Sequence, residues 1–240
     1  MKKYIVWMCV GVFPLISFLS LEKLSKYEKF LREGTYANDD WGSFERIPAS
    51  RYETFKIAFE HFEKTNGRVI VELGTSRSYV HGGLPGCNSN DTRYWTPGQP
   101  QNWDWGAGFF TRVAAECLQH CKPTFYTVDI AAEHMNRCKH MTGPFKEIMH
   151  YCVYSSVDFL KQHEGKIDLL YIDTGDMTPI EPTALLQLEE ARIIVERDLM
   201  STKGMIVIDD VRNQTPKKYG DTSGLGKAKY SLPYFLTRGF

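Results

Sequence analysis

The sequence predicts an α/β fold built on a doubly wound, mainly parallel β-sheet. Three observations predict it. Five short apolar runs lie between Arg68 and Ile208, helix-length stretches separate them, and a carboxylate or glycine turn sits at or just beyond each run. Continuous apolar runs mark strands buried on both faces, and their alternation with helices implies parallel pairing through helical crossovers. A length of 240 residues accommodates one such domain with a short appendage. The 29 Lys+Arg equal the 29 Asp+Glu, so the electrostatic footprint of a nucleic-acid binder is missing. Six cysteines follow no disulfide-framework spacing and read as reduced thiols of an intracellular protein.

The elements follow in chain order. Lys2 and Lys3 precede an uncharged, mostly apolar run from Tyr4 to Leu21. It sits at the lower edge of the ~20 residues a membrane-spanning helix needs and exceeds the ~7–15 residues of a signal-peptide core. Lys23, Lys26, Lys29 and Arg32 follow it, which favours a cell-membrane tether with the remaining chain in the cytoplasm. A cleaved signal peptide or a helix packed on the domain are the other readings. Glu22–Glu33 carries Leu24, Tyr27, Phe30 and Leu31 on one face, a short amphipathic helix. Residues 1–33 are therefore set apart from a domain spanning 34–240. Arg51–Lys64 places Phe55, Ala58, Phe59 and Phe62 at helical spacing. Strands are expected at Arg68–Leu73, Thr124–Ile130, His150–Tyr154, Ile167–Ile172 and Gly204–Ile208. Helices are expected at Phe109–His120, Ala131–Arg137, Val157–His163, Pro182–Met200 and Ser231–Gly239. The stretch at about 79–108 is an insert with Trp95, Trp103 and Trp105 among turn-forming residues. Its length suggests a lid over a site, and most of its tryptophans read as pins holding it to the domain.

Open parallel sheets bind ligands beyond the carboxyl ends of their strands, near the point where strand order reverses. Strand one runs into Glu72-Leu73-Gly74-Thr75-Ser76, where Gly74 permits a tight turn and hydroxyls offer hydrogen bonds. Strand two ends in Asp129, and a carboxylate there can accept both hydroxyls of a ribose. Ser155-Ser156-Val157-Asp158 follows strand three and could meet a ring edge bearing an amino group. Each such acid taken alone reads more simply as a helix N-cap. Strand four ends in Asp173, with Gly175 and Asp176 behind it, and strand five in Asp209-Asp210. Three clustered carboxylates repel one another unless a cation or protons intervene, so Asp173, Asp209 and Asp210 are candidate ligands for Mg²⁺. In the alternative, Asp210 caps the next segment and Asp209 alone faces the site.

These segments (VIVELGTS, FYTVDI, SSVDFL, DLLYIDTGD and GMIVIDDV) resemble the successive motifs of class I S-adenosylmethionine-dependent methyltransferases. The likeness is nearest to the macrocin-type and catechol-type metal-dependent O-methyltransferases, and it extends from Val69 to Val211. The resemblance implies a Rossmann-like sheet that binds S-adenosylmethionine. Glu72 and Gly74, with Thr75 and Ser76 in the same turn, would lie at the methionine end, Asp129 on the ribose, and Ser156 and Asp158 near adenine. It further implies a metal at Asp173, Asp209 and Asp210, and O-methylation of a small polar acceptor such as a glycosyl hydroxyl. Asp173 and Asp176 are the catalytic candidates; His81 and a metal-bound water compete for the role of base.

The chain departs from the family pattern at the first turn, which has one glycine, and at its end. The family sheet has seven strands, whereas only five are legible here. That predicts an exposed strand-five edge, covered by a partner chain or a second copy, or left short. Two other functions stay open: a non-catalytic or truncated methyltransferase-fold module, and an NAD-dependent oxidoreductase, although G-x-G-x-x-G is missing. Cys117, His120 and Cys121 share a predicted helix face, but zinc needs more ligands than the neighbourhood supplies. They read as core and surface residues.

Overall fold

A computed structural model describes residues 18–33, 51–76, 97–103, 105, 109–176, 179–211 and 223–240. Five strands, β1 (Val69–Leu73), β2 (Thr124–Asp129), β3 (Met149–Val153), β4 (Ile167–Ile172) and β5 (Met200–Ile208), form one sheet in the order β3-β2-β1-β4-β5. Every pairing is parallel. The order reverses between β1 and β4, so the crevice at their carboxyl ends is where a ligand site belongs. The expected fold class is the observed one.

Alternation along the strands builds two apolar layers. Ile70, Phe125, Leu169, Tyr171 and Val207 face a layer filled by α1 (Phe18–Ser25), α2 (Glu28–Glu33), α3 (Arg51–Lys64), α4 (Phe110–Leu118) and α5 (Ala132–Thr142). Val71, Leu73, Val128, Leu170 and Ile172 face the other, filled by α6 (Ser156–Gln162), α7 (Ile180–Glu196) and α8 (Ser231–Thr237). The first layer is aromatic: Phe110 stacks on Tyr171 with ring centres 4.0 Å apart, and Phe55 meets both edge-on.

Several elements differ from expectation for identifiable reasons. The single helix expected at Glu22–Glu33 is two helices broken at Lys26–Tyr27. The break seats Tyr27 among Trp103 and Trp105 and lets its hydroxyl donate to Glu116 Oε2 at 2.7 Å. Strand β5 begins at Met200, four residues early, because a register shift separates the pairs Ile167–Met200 and Leu169–Met205. Gly204 lies in the extra segment; a Cβ there would stand 2.8 Å from the Ile167 carbonyl oxygen, so a larger residue would push β5 off β4.

Residues 4–17 of the apolar run lie outside the described residues, as do His81, Trp95 and most of 79–108. Residues 18–21 open α1, where Ser20 and Leu24 are buried. No helix among the described residues is long and apolar enough to cross a membrane, so the expected tether gains no support. The sheet's outer strands, among the described residues, are β3 and β5.

Candidate functional site

Gly74 sits at the centre of the crevice. It adopts φ 85°, and a Cβ there would lie 2.5 Å from the Asp173 carbonyl oxygen. Only glycine permits both the left-handed turn and that close approach. The Gly74 amide donates to the Val128 carbonyl at 2.9 Å and the Asp173 amide to the Leu73 carbonyl at 2.8 Å. The first turn is thus held to both β2 and β4.

Glu72 is fully buried beneath this turn. The hydroxyls of Thr111, Thr127 (2.7 Å) and Ser76 (3.3 Å) surround its carboxyl group. Burial pushes the Glu72 carboxyl up to about 8, against the hydroxyls that favour its ionised form. Thr75 and Ser76 are buried as well. Thr75 Oγ1 lies 2.6 Å from Thr127 Oγ1, while Ser76 and Thr111 exchange amide-to-hydroxyl bonds of 3.1 Å in both directions. These three residues build the turn from below rather than presenting side chains to the crevice.

Asp129 stands at the neighbouring strand end with its side chain 13% exposed. Its carboxylate accepts from the Ala131 amide at 2.8 Å and the Thr75 amide at 3.3 Å, and His134 Nδ1 lies 3.3 Å away. A carboxylate has about four lone-pair sites, so these partners leave capacity for a ligand hydroxyl.

The next pair serves other ends. Ser156 is buried and bonds to Glu190, which also accepts from Thr174 Oγ1 at 2.9 Å. Burial pushes the Glu190 carboxyl up to about 7. Asp158 is exposed, and Ser155 caps α6: its hydroxyl accepts from the Asp158 amide at 3.0 Å and donates to Asp158 Oδ2 at 2.7 Å. The cap of α6 is thus Ser155, with Asp158 three residues inside the helix.

The strand-four and strand-five acids do assemble, around protein cations. Lys227, buried in a 3-10 turn (Gly226–Lys229), places its ammonium 2.8 Å from Asp173 Oδ1 and 2.9 Å from Asp210 Oδ2. Arg51, from the first residue of α3, gives Asp209 Oδ2 hydrogen bonds of 3.0 and 3.2 Å, and the Tyr171 hydroxyl donates to the same oxygen at 2.6 Å. Asp210 has left-handed backbone, φ 54°, which turns the chain sharply after Asp209 and lets the adjacent acids address different cations. Burial pulls the Lys227 ammonium down, but Asp173 and Asp210 more than reverse this and leave it above the ordinary lysine value. Burial likewise lifts Asp173 to about 6, with Lys227 opposing and Asp209 and Asp210 assisting. A divalent ion was expected here because three carboxylates had no visible counter-charge. The structure supplies that charge as Lys227 and Arg51, so a divalent ion at these oxygens would have to expel an ammonium from between two carboxylates. The donor set does not fit Mg²⁺ as it stands.

Asp176 is exposed at the rim, where its carbonyl accepts from Thr183 Oγ1 at 2.9 Å. Trp103 and Trp105 are buried, stacked on Phe109 and Phe30 respectively, which is the pinning expected of them. The Trp105 carbonyl also accepts from Arg51 at 3.0 Å, tying this part of the insert to the acid cluster. Sequence reading missed Arg51, Thr111, Thr127, Glu190 and Lys227. Lys227 lies two residues from Lys229, and no local pattern distinguishes the buried lysine from its neighbour.

No family model matches the chain, and no curated protein matches it. Among solved structures, the S-adenosylhomocysteine-bound methyltransferase PaMTH1 of Podospora anserina is similar at 13% identity and a TM-score of 0.49, over 95% of this chain and 91% of that one. The bifunctional kinase-methyltransferase WbdD is similar at 14% identity and a TM-score of 0.44, over 83% of this chain and 37% of WbdD. At these values no residue role passes from either protein to this chain.

Proposed function

We propose that this chain is an S-adenosylmethionine-dependent methyltransferase that methylates a hydroxyl of a small polar acceptor, such as a glycosyl hydroxyl. The observation that carries this reading is the Gly74 turn at the strand-order reversal. One carboxylate, Asp129, stands on its β2 side, and the Asp173–Lys227–Asp210 cluster on its β4 side. On this reading one crevice holds a ribose acceptor and a proton acceptor across a turn whose glycine carries no side chain.

The cofactor, when bound, supplies an electrophilic sulfonium methyl group. The chain supplies positioning and proton handling. Asp129 would hold the ribose hydroxyls, and the absent Gly74 side chain lets a ligand approach the backbone. Lys227 holds Asp173 Oδ1, leaving Oδ2 to take the proton of the acceptor hydroxyl. With an ordinary range shifted up to about 6, Asp173 is mostly ionised at neutral pH yet basic enough to accept a proton transiently. The Lys227 ammonium fills the electrostatic role that Mg²⁺ would otherwise fill.

Calorimetry with S-adenosylmethionine tests the reading. Saturable binding that Asp129→Ala removes is the expected result; no heat at high protein concentration sinks it. Asp173→Asn should bind the cofactor and lose transfer, and wild-type kcat/KM should fall as pH drops through about 6. A chelator should leave transfer unchanged. The internal bonding of Glu72, Ser156 and Asp158 favours a second reading, a non-catalytic module of the same fold. Cofactor binding without turnover across hydroxyl acceptors would select it.

A further inference from the structure

At the opposite end of the sheet from the crevice, Glu63, His120 and Cys121 present one ligand atom each, all within 4.8 Å of one another. Glu63 belongs to the last turn of α3; His120 and Cys121 form a 3-10 turn after α4 (Gln119–Cys121). His120 Nε2 stands 2.8 Å from Glu63 Oε1 and 3.5 Å from Cys121 Sγ. The 3.5 Å separation matches an edge of a tetrahedron around a zinc ion with ligand bonds of about 2.0–2.3 Å, and the 2.8 Å ion-pair contact would open by about half an ångström to match one. The Glu63 side chain is only 7% exposed, and its Oε1 is buried without an aligned hydrogen-bond donor despite the nearby imidazole. A buried carboxylate oxygen in that condition is costly unless a cation completes it. The other oxygen, Oε2, accepts from Ser20 Oγ of α1 at 2.7 Å, and the Arg68 guanidinium, at the entry to β1, donates to the Cys121 carbonyl at 2.9 Å.

We propose that Glu63, His120 and Cys121 bind a zinc ion, with a fourth position open to water. A carboxylate, an imidazole and a thiolate form a zinc-type donor set; magnesium and calcium prefer oxygen alone. The imidazole is 25% exposed, which gives the ion an entry path. Metal binding releases the Cys121 thiol proton and fastens α3 to the turn after α4, with α1 held through Ser20. Cys117 does not join: it is buried in the aromatic layer, and the helix gives way to the 3-10 turn before His120.

The test titrates chelator-treated full-length protein with Co²⁺. One equivalent should produce a thiolate-to-cobalt charge-transfer band and strong tetrahedral visible absorption, both removed by Zn²⁺. Cys121→Ser should lose the charge-transfer band, and its zinc affinity should fall by more than the ~10–100-fold typical of removing a supporting partner. Cys152→Ser, on β3, should keep the band. Zn²⁺ should raise the wild-type Tm and leave that of Glu63→Gln nearly unmoved. Absence of the band in wild type, or its persistence in Cys121→Ser, overturns the site.

Discussion

The β1–β2 side and the β4–β5 side of the crevice bury their acids by opposite means. Under the first turn, Glu72 is enclosed by the hydroxyls of Thr111, Thr127 and Ser76, and burial carries it up to about 8, so it remains largely protonated at neutral pH. Across the Gly74 turn, Asp173, Asp209 and Asp210 are set against Lys227 and Arg51. Hydroxyls can hold a carboxyl group without neutralising it, so the proton does that work. Ammonium and guanidinium groups neutralise the acids directly, and those acids stay ionisable. The difference teaches that burial is answered by a proton on one side and by a fixed counter-charge on the other, and under the proposed function the proton acceptor is sought on the second.

The largest break in this contrast should come from Lys227→Met. It leaves the half-buried Asp173 and Asp210 beside no ammonium and should cost at most about 3–5 kcal/mol in urea unfolding, less what solvent at the two acids recovers. Adding Asp173→Asn should restore much of that loss; a double variant no more stable than Lys227→Met would show that the cluster is not an electrostatic unit. Gly74→Ala comes next, at about 2–3 kcal/mol, since it strains a φ of 85° and drives a methyl group against the Asp173 backbone. Equal stability would mean that β1 and β4 separate easily there.

Glu72→Gln should sharpen the contrast through pH more than through magnitude. The folded value of about 8 exceeds the ordinary 4.5, so folding takes up a proton between those values. The Glu72 contribution is then complete below about pH 4.5, declines by up to ~1.4 kcal/mol per pH unit as pH rises, and levels off above about 8. Glutamine, a neutral isostere, should flatten that decline in urea midpoints measured from pH 5 to 8; parallel slopes for variant and wild type would refute it. Glu190, raised to about 7, and Asp173, raised to about 6, work in the same direction and contribute to the slope that remains. Smallest is Ser155→Ala, which removes the α6 cap for about 1 kcal/mol and should leave cofactor affinity untouched. A tenfold loss of affinity would return this corner to the binding site.

Much of this was legible beforehand. The five strands lie where β-branched runs place them, within a residue or two except at β5, whose early start depends on the close approach of Gly204 to Ile167. Gly74, Asp129 and Asp173 could be singled out because strand ends and turns are local features. The roles of Glu72, Ser156 and Asp158 were harder to read, since a polar residue after a strand can face a ligand, cap a helix or serve a buried network equally well. Glu190 was invisible for a related reason: nothing within α7 distinguishes an acid bonded to Ser156 from one in solvent.

By itself the sequence determined the sheet, its parallel winding and the end at which acids gather, because hydrophobic periodicity and turn residues act over a few neighbours. Tertiary structure alone decided what balances each acid. Arg51 reaches Asp209 across 158 residues and Lys227 reaches Asp173 across 54. Charge neutralisation depends on distance in space, and spacing along the chain carries no record of it.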